Sequence, residues 1–429
     1  MISIRRAVTA ALATVTCAAL LAGCGNTFRP TINFQPQPSG DPSGLGHAVV
    51  LSTNPAGDGS DTHINVSGDT NVGVVNVGLN PVFLGKALGR AFVINGDNTV
   101  TVYVALLPTS IVASQITLPG TTSGPVGGGA SANGNIYIAN SGTDNVSVIP
   151  STQNSVTTVV PLGAGAQPVM VASNVNGNKA YAINHGSNNV TVIGTQDNSV
   201  ITTIAVGSSP IWGVMSNDGN DVFIVNQGDG TVSVIDTALD KVITTITVGA
   251  SPNFAFYDNV RKRVYVSNTG SSTISVIKAD SIDLSATPQI LPTKLADVPI
   301  AAPAISVGAI ADGTRAYAAL GGCPLGTNHT TLLANLASCN GNQVAVIDAV
   351  GLFQSKLITV GSGAVSIAPS NDGTRVYVPN AHDGNISIIR TSTDTELMRM
   401  AAPLENLSCT NPSVCPATAQ TPFMVVTFP

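Results

Sequence analysis

The chain has 429 residues and a formal net charge of −6, with 43% hydrophobic, 4% aromatic and 9% charged residues. A chain of this length divides into two or three ordinary domains unless it is repetitive, because a repeat unit needs only its neighbours. Lys and Arg total 17 with no basic run after the first few residues, which argues against the clustered cations that a nucleic-acid binder needs; the wealth of Val, Ile and Thr beside Asn and Gly predicts short strands and tight turns rather than disorder.

Residues 1–23 read as a signal peptide: Arg5 and Arg6 form a positive start, residues 7–20 a short apolar run, and Leu21-Ala22-Gly23-Cys24 follows. The apolar run is too short to span a membrane. The Leu-Ala-Gly-Cys ending resembles the bacterial lipobox, which implies that Cys24 carries lipid and becomes the mature N-terminus. Gly25 follows in place of Asp, so in a diderm host the resemblance implies the outer membrane, on its periplasmic or surface face. Residues 24–45, rich in Pro, Gly, Gln and Ser, read as a flexible tether.

From residue 46 onward an internal repeat governs the reading. A short strand ending in Asn recurs at Asn95, Asn140, Asn184, Asn226 and Asn268, spaced 45, 44, 42 and 42 residues apart, and again at Asn380. After each comes a polar turn and a second strand such as residues 231–236, TVSVID, then a third such as residues 242–248, VITTITV, then a Pro that opens a fourth. Four short strands cannot bury both faces of their sheet alone, whereas a ring of such sheets can. The units resemble the YVTN-type β-propeller repeats of bacterial and archaeal cell-surface proteins, best over residues 222–275, and the resemblance spans roughly 46–428.

That resemblance implies an all-β fold, a β-propeller of four-stranded blades. Marking each blade by the end of its Asn-type strand gives Asn54, Asn95, Asn140, Asn184, Asn226, Asn268, Ala319 and Asn380, hence eight blades, with seven as the alternative. The first unit lacks its Pro-initiated strand and residues 421–428 supply one, which predicts closure of the ring by the C-terminal strand. The unit near Ala319 carries an insertion at about 321–341, and a Cys-containing loop at about 403–420 precedes the closing strand.

Besides Cys17 and Cys24 the cysteines are Cys323, Cys339, Cys409 and Cys415. Four cysteines allow three pairings; local pairing, 323–339 and 409–415, is expected because each pair shares one loop in an oxidising compartment. A zinc site would want several nearby histidines, and only His329 lies between the first pair, so no metal or other cofactor is expected.

No catalytic motif is legible. His185 and His382 follow Asn-ending strands in two units and stand as candidate polar groups at a channel mouth, against the plainer reading of two loop histidines. The Asp-Gly pairs at 218–219, 312–313 and 372–373 are turn chemistry, and Gly127-Gly128-Gly129 precedes a strand, not the helix a phosphate loop requires. Aligning the Pro-initiated strands puts Met424, Phe83, Gly127, Met170, Trp212, Phe254, Ser306 and Ser366 at one position. The bulky members, Phe83, Met170, Trp212, Phe254 and Met424, form a candidate binding rim, against the plainer reading of uneven inter-blade packing. The sequence therefore favours an envelope-anchored binding or scaffold module without catalysis, whose partner is an unnamed envelope protein or surface ligand and whose membrane contact is through the lipid alone. The alternatives are a periplasmic hydrolase or lyase at the central channel, lactonase-like or lyase-like, and a nucleic-acid-binding propeller, which the acidic balance opposes.

Overall fold

A computed structural model describes residues 46–54, 58–105, 114–120, 123–173, 178–280, 282–402 and 420–428. The expected signal peptide, Cys24, the tether, Cys409 and Cys415 lie outside these residues. Eight antiparallel sheets of four strands succeed one another along the chain. In blade 5 the inner strand is Pro210–Met215, the second Asp221–Asn226, the third Thr231–Asp236 and the outer Lys241–Thr247. Blades 2, 3 and 4 occupy residues 81–117, 125–161 and 168–205, and blades 6, 7 and 8 residues 252–299, 306–359 and 368–401. Blade 1 takes its inner strand, Thr421–Phe428, from the C-terminus and its other three from residues 47–79. His47 pairs with Phe428 and Leu51 with Met424. The inner strands pack in sequence from blade to blade, that of blade 8 reaching the closing strand and the closing strand reaching that of blade 2. The protein is an eight-bladed propeller closed by its C-terminal strand, as the repeat predicts.

Because each sheet lies between two others, its second and third strands are buried on both faces. In blade 5 the second strand is buried at all six positions, and apolar runs replace the alternation of a half-exposed sheet. Outer strands do alternate, as in Lys241–Thr247, where Ile246 is buried between exposed threonines.

The strand-ending Asn has a repeated task. Its amide donates to the turn and to the third strand: Asn226 to Thr231 and Ser233 at 3.0 and 2.9 Å, Asn184 to Asn189 and Thr191 at 2.7 and 2.9 Å, and Asn95, Asn140 and Asn268 to the corresponding pairs. These donors are buried, so the bonds satisfy groups that would otherwise be costly to desolvate. Register alters two assignments. The residue opposite the strand-opening Pro is Asn226 in blade 5 but Ser52, opposite Pro422, in blade 1, two residues before Asn54. In blade 7 the pairing of Ser306 with Ala319 places Leu320 at this position. There the hydroxyl partner is lost as well, since Ala345 stands where blade 4 has Thr191, so an apolar pair replaces a polar one without orphaning either member.

A second repeated contact joins neighbouring blades on the face opposite the Asn turns. In blades 4, 6, 7 and 8 the residue that opens the second strand is basic and reaches the hairpin between third and outer strands of the next blade. Arg90 of blade 2 instead donates to the Gly134 carbonyl between the inner and second strands of blade 3, and the second strand of blade 3 opens with Ile136. Lys179 donates to the Thr237 carbonyl at 2.8 Å and pairs with Asp240 at 2.7 Å. Arg315 does the same to Thr391 and Asp394, at 2.5 and 2.7 Å. Arg263 donates to the Ala349 carbonyl at 2.6 Å, and Arg375 of blade 8 grips Asp69 of blade 1. In blade 1 the position is His47, which hydrogen-bonds the backbone of Ala105 in blade 2. In blade 5 it is Asp221, opposite in charge.

Candidate functional site

In blades 1 to 6 the position two residues after the strand-opening Pro comes to one mouth of the channel, where Ser306 and Ser366 of blades 7 and 8 join it. Pro lacks an N–H and suits a strand start. A bulge follows it in blades 2 to 6 and re-aims the next side chain. Trp212, Phe254, Ser306, Ser366 and Met424 line a cavity of about 60 Å³ there. Trp212 is 4.7 Å from Phe254 and 6.4 Å from Phe83, ring centre to ring centre, and its indole N–H donates to the Ala255 carbonyl at 3.1 Å, tying blade 5 to blade 6. Met170 is buried in the same apolar cluster. The small residues of blade 3 have a separate cause: a Cβ on Gly127 would stand 2.2 Å from the Val169 carbonyl oxygen and one on Gly129 2.1 Å from that of Val171. The glycines let the inner strand of blade 4 approach closely, and cradle no phosphate.

The insertion of blade 7 covers this mouth. It leaves the second strand at Leu320, runs through a disulfide between Cys323 and Cys339, and contains a one-turn helix, α1 (Leu332–Asn335), followed by a 3-10 turn, Leu336–Ser338. Leu332 and Leu336 are buried and Cys339 is fully so. Asn328 donates to the Gln227 side chain at 2.8 Å while Gln227 returns a bond to the Gly326 carbonyl at 3.2 Å, a reciprocal pair across the mouth to blade 5. His329 reaches blade 4, its Nε2 3.0 Å from the Val169 carbonyl oxygen, and stands edge-on to Trp212 at 5.2 Å and to Phe83 at 6.5 Å. A carbonyl partner assigns the proton to Nε2. Burial pushes this imidazole down to about 4, and the neighbouring His185 adds to the fall, so His329 is neutral at physiological pH. Trp212 is consequently 8% exposed, and the aromatic group acts as the seat on which the insertion rests.

The two loop histidines fall apart. His185 sets Nδ1 3.3 Å from the Pro210 carbonyl oxygen, under the same insertion. His382 is exposed beside Asp383, at 3.9 Å. Among the described residues, no cluster of three or more His, Cys, Asp or Glu has the placement to hold a metal ion. Sequence reasoning missed Gln227, Asn328 and the seating of His329. The available signal was position: His329 and Asn328 lie in the one segment that breaks the repeat between two cysteines, and Gln227 is the residue that follows a strand-ending Asn.

No protein-family model matches the sequence, and no curated protein matches it. Solved structures do resemble it. Dihydro-heme d1 dehydrogenase NirN in complex with DHE aligns with a TM-score of 0.67 and 13% identity over 92% of this chain and 76% of that one. Apo AztD from Citrobacter koseri aligns with a TM-score of 0.57 and 11% identity, over 89% and 98%. Hydrazine synthase of Kuenenia stuttgartiensis gives 0.53 and 17%, over 73% and 96%. At these identities the likeness is one of fold. The neighbours share the β-propeller and differ in role, so the site and not the fold must carry any functional argument.

Proposed function

We propose that the chain is a YVTN-type propeller lipoprotein, exported, anchored through Cys24 to the outer membrane, and acting as a binding or scaffold module rather than an enzyme. The observation that carries this reading is the disulfide-bonded insertion seated on the channel mouth. A propeller that catalyses in its channel needs acid and base groups there in contact with substrate. Here the chain's own segment occupies the mouth, and its imidazole is neutral and engaged with a backbone carbonyl. The outward side of that segment presents Leu325, 75% exposed, beside the exposed Pro324. An apolar residue held out on a cross-linked loop is a suitable interface anchor, because little conformational freedom remains to be lost on binding. The Cys323–Cys339 bond fits an oxidising compartment.

Two experiments test the two halves. A photo-crosslinker placed at 325 in cells is expected to give discrete adducts that the same group at Leu239, 51% exposed on the opposite face, does not give; identical adduct patterns would overturn the assignment of the binding face. Mass spectrometry of the mature N-terminal peptide is expected to find diacylated Cys24, with Cys24→Ala moving the protein to the soluble fraction. An N-terminus upstream of residue 24 would sink the lipoprotein reading.

A further inference from the structure

At the junction of blades 5 and 6 the inter-blade cation of the hairpin face is replaced by an acid, and a cavity lies there. In blades 4, 6 and 7 a cation opens the second strand and donates to the carbonyl of the residue that follows the next blade's third strand: Thr237, Ala349 and Thr391. At the junction of blades 5 and 6 the cation's place is taken by Asp221, and the residue equivalent to those that offer the accepting carbonyls is Ala279. The tight hairpin that should follow is opened into a longer connection, between strands Thr273–Lys278 and Thr293–Pro299. Asp221 and Ala279 both line the cavity of about 380 Å³, within the range of small-molecule sites.

The walls define what the cavity would take. Asp221 is 6% exposed, and its carboxylate has no hydrogen bond or ion pair among the described residues. Asp218, Asp236 and Asp280 line the same space. Burial first, then the charges of Asp218 and Asp236, push the Asp221 carboxyl up to about 7. A buried anion among anions is a destabilising arrangement that an incoming cation relieves. Both lysines nearby have partners other than Asp221: Lys262, which also lines the cavity, donates to Asn259 at 2.7 Å, and Lys278 pairs with Asp280 at the rim at 3.3 Å. A bare metal ion does not fit, since the carboxylates do not converge to coordination distance and the volume greatly exceeds one ion. Tyr257, Ile282 and Leu284 add an aromatic face and aliphatic walls, suited to a cation on a hydrocarbon stem.

We propose that this cavity binds an organic cation, an ammonium or guanidinium head on an aliphatic chain, whose head takes the place that Lys179, Arg263 and Arg315 fill from within the chain at three other junctions. The head lies between Asp221 and Asp280 and donates to the Ala279 carbonyl. The chemistry is shared by free alkylamines and by basic side chains of a protein, and the test separates them.

Calorimetric titration of the purified mature protein uses 1,4-diaminobutane and agmatine in one arm, a terminally blocked Gly-Lys-Gly peptide in the other, and 1,4-butanediol, Mg²⁺ and Ca²⁺ as controls. At least one cationic arm is expected to bind, identifying the source, while the diol does not. Asp221→Asn is expected to weaken binding at least tenfold. Asp280→Asn, at a half-buried site and checked by its melting temperature, is expected to weaken it about threefold. Asp221→Lys, which supplies the missing cation from the chain, is expected to abolish binding and raise the melting temperature. Absence of binding in both arms, binding indifferent to Asp221→Asn and Asp280→Asn, or equal binding of the diol or a divalent ion would each overturn the proposal.

Discussion

Arg375, in the second strand of blade 8, directs its Nε at both carboxylate oxygens of Asp69 in blade 1, at 3.2 and 3.0 Å, across the junction where the last and first repeats meet. The two residues are 306 positions apart in sequence, and their side chains are 3% and 10% exposed. The closing strand joins this junction through backbone pairing; the ion pair joins it through side chains on the hairpin face.

Removing one partner of this pair leaves the other charge buried. Arg375→Met is expected to destabilise by up to about 3–5 kcal/mol in urea unfolding, and the double variant Arg375→Met, Asp69→Leu less, because the single variant leaves a buried carboxylate without its guanidinium. Equal losses in the single and double variants would show that the cost does not lie in the carboxylate left behind.

Blade 7 prescribes how the polar ladder of another blade can be removed. Asn184→Leu alone is expected to destabilise by about 1–3 kcal/mol, since the Thr191 hydroxyl loses a buried partner. Adding Thr191→Ala recreates the Leu320 and Ala345 combination and is expected to recover part of the loss. A double-mutant cycle by chemical denaturation reads the coupling, and strict additivity would contradict it.

The blade 1–2 interface holds titratable groups with opposing pH behaviour. Tyr103 donates to Asp61 at 2.5 Å, and His63 stacks on His47 at 5.6 Å. Burial pushes Asp61 up to about 7 and His63 down to about 4, and His329 behaves like His63. The folded protein holds the Asp61 proton more tightly than the unfolded chain, so that contribution is complete below about 3.8 and is lost as pH rises through 7. The histidines are held neutral, so theirs is complete above about 6.5 and is lost as pH falls towards 4. Asp61→Asn is therefore expected to be stabilised relative to the parent at pH 8, and to show a steeper loss of stability between pH 6.5 and 4. His63→Leu is expected to flatten that acid limb. Melting temperatures from pH 4 to 8 check both signs.

Loss of the disulfide should release the insertion from its seat. The Cys323→Ser, Cys339→Ser variant is expected to lose about 3 kcal/mol, the value for a closed loop of this size. The sole tryptophan reports the event directly: with His329 withdrawn, Trp212 emission is expected to shift to the red and become accessible to quenchers. Unchanged emission and quenching would mean that the insertion keeps its place without the bond.

The repeat made much of the fold legible because its signals are local. The strand-ending Asn is set by side-chain hydrogen bonds to the turn and third strand of its own blade, and the Pro by the start of an inner strand. The position of Trp212, Phe254, Phe83, Met170 and Met424 on the inner strands followed from the same alignment. Their role did not, because the segment that covers them arrives from blade 7: His329 and Val169 are 160 residues apart. Asn54 and Ala319 marked their blades correctly, but pairing register, settled by which strand lies opposite, moved the equivalent positions to Ser52 and Leu320.

What the amino-acid sequence determined by itself was the all-β class, the period, the eight units and the identity of the closing strand, since each depends on turn chemistry and strand pattern read within some fifty residues. Tertiary structure alone decided which residues meet between blades. The seating of the insertion and the Arg375–Asp69 seam exist only once the ring is closed, and the acidic cavity at Asp221 only once blades 5 and 6 pack together, because packing brings together side chains whose pairing no local propensity encodes.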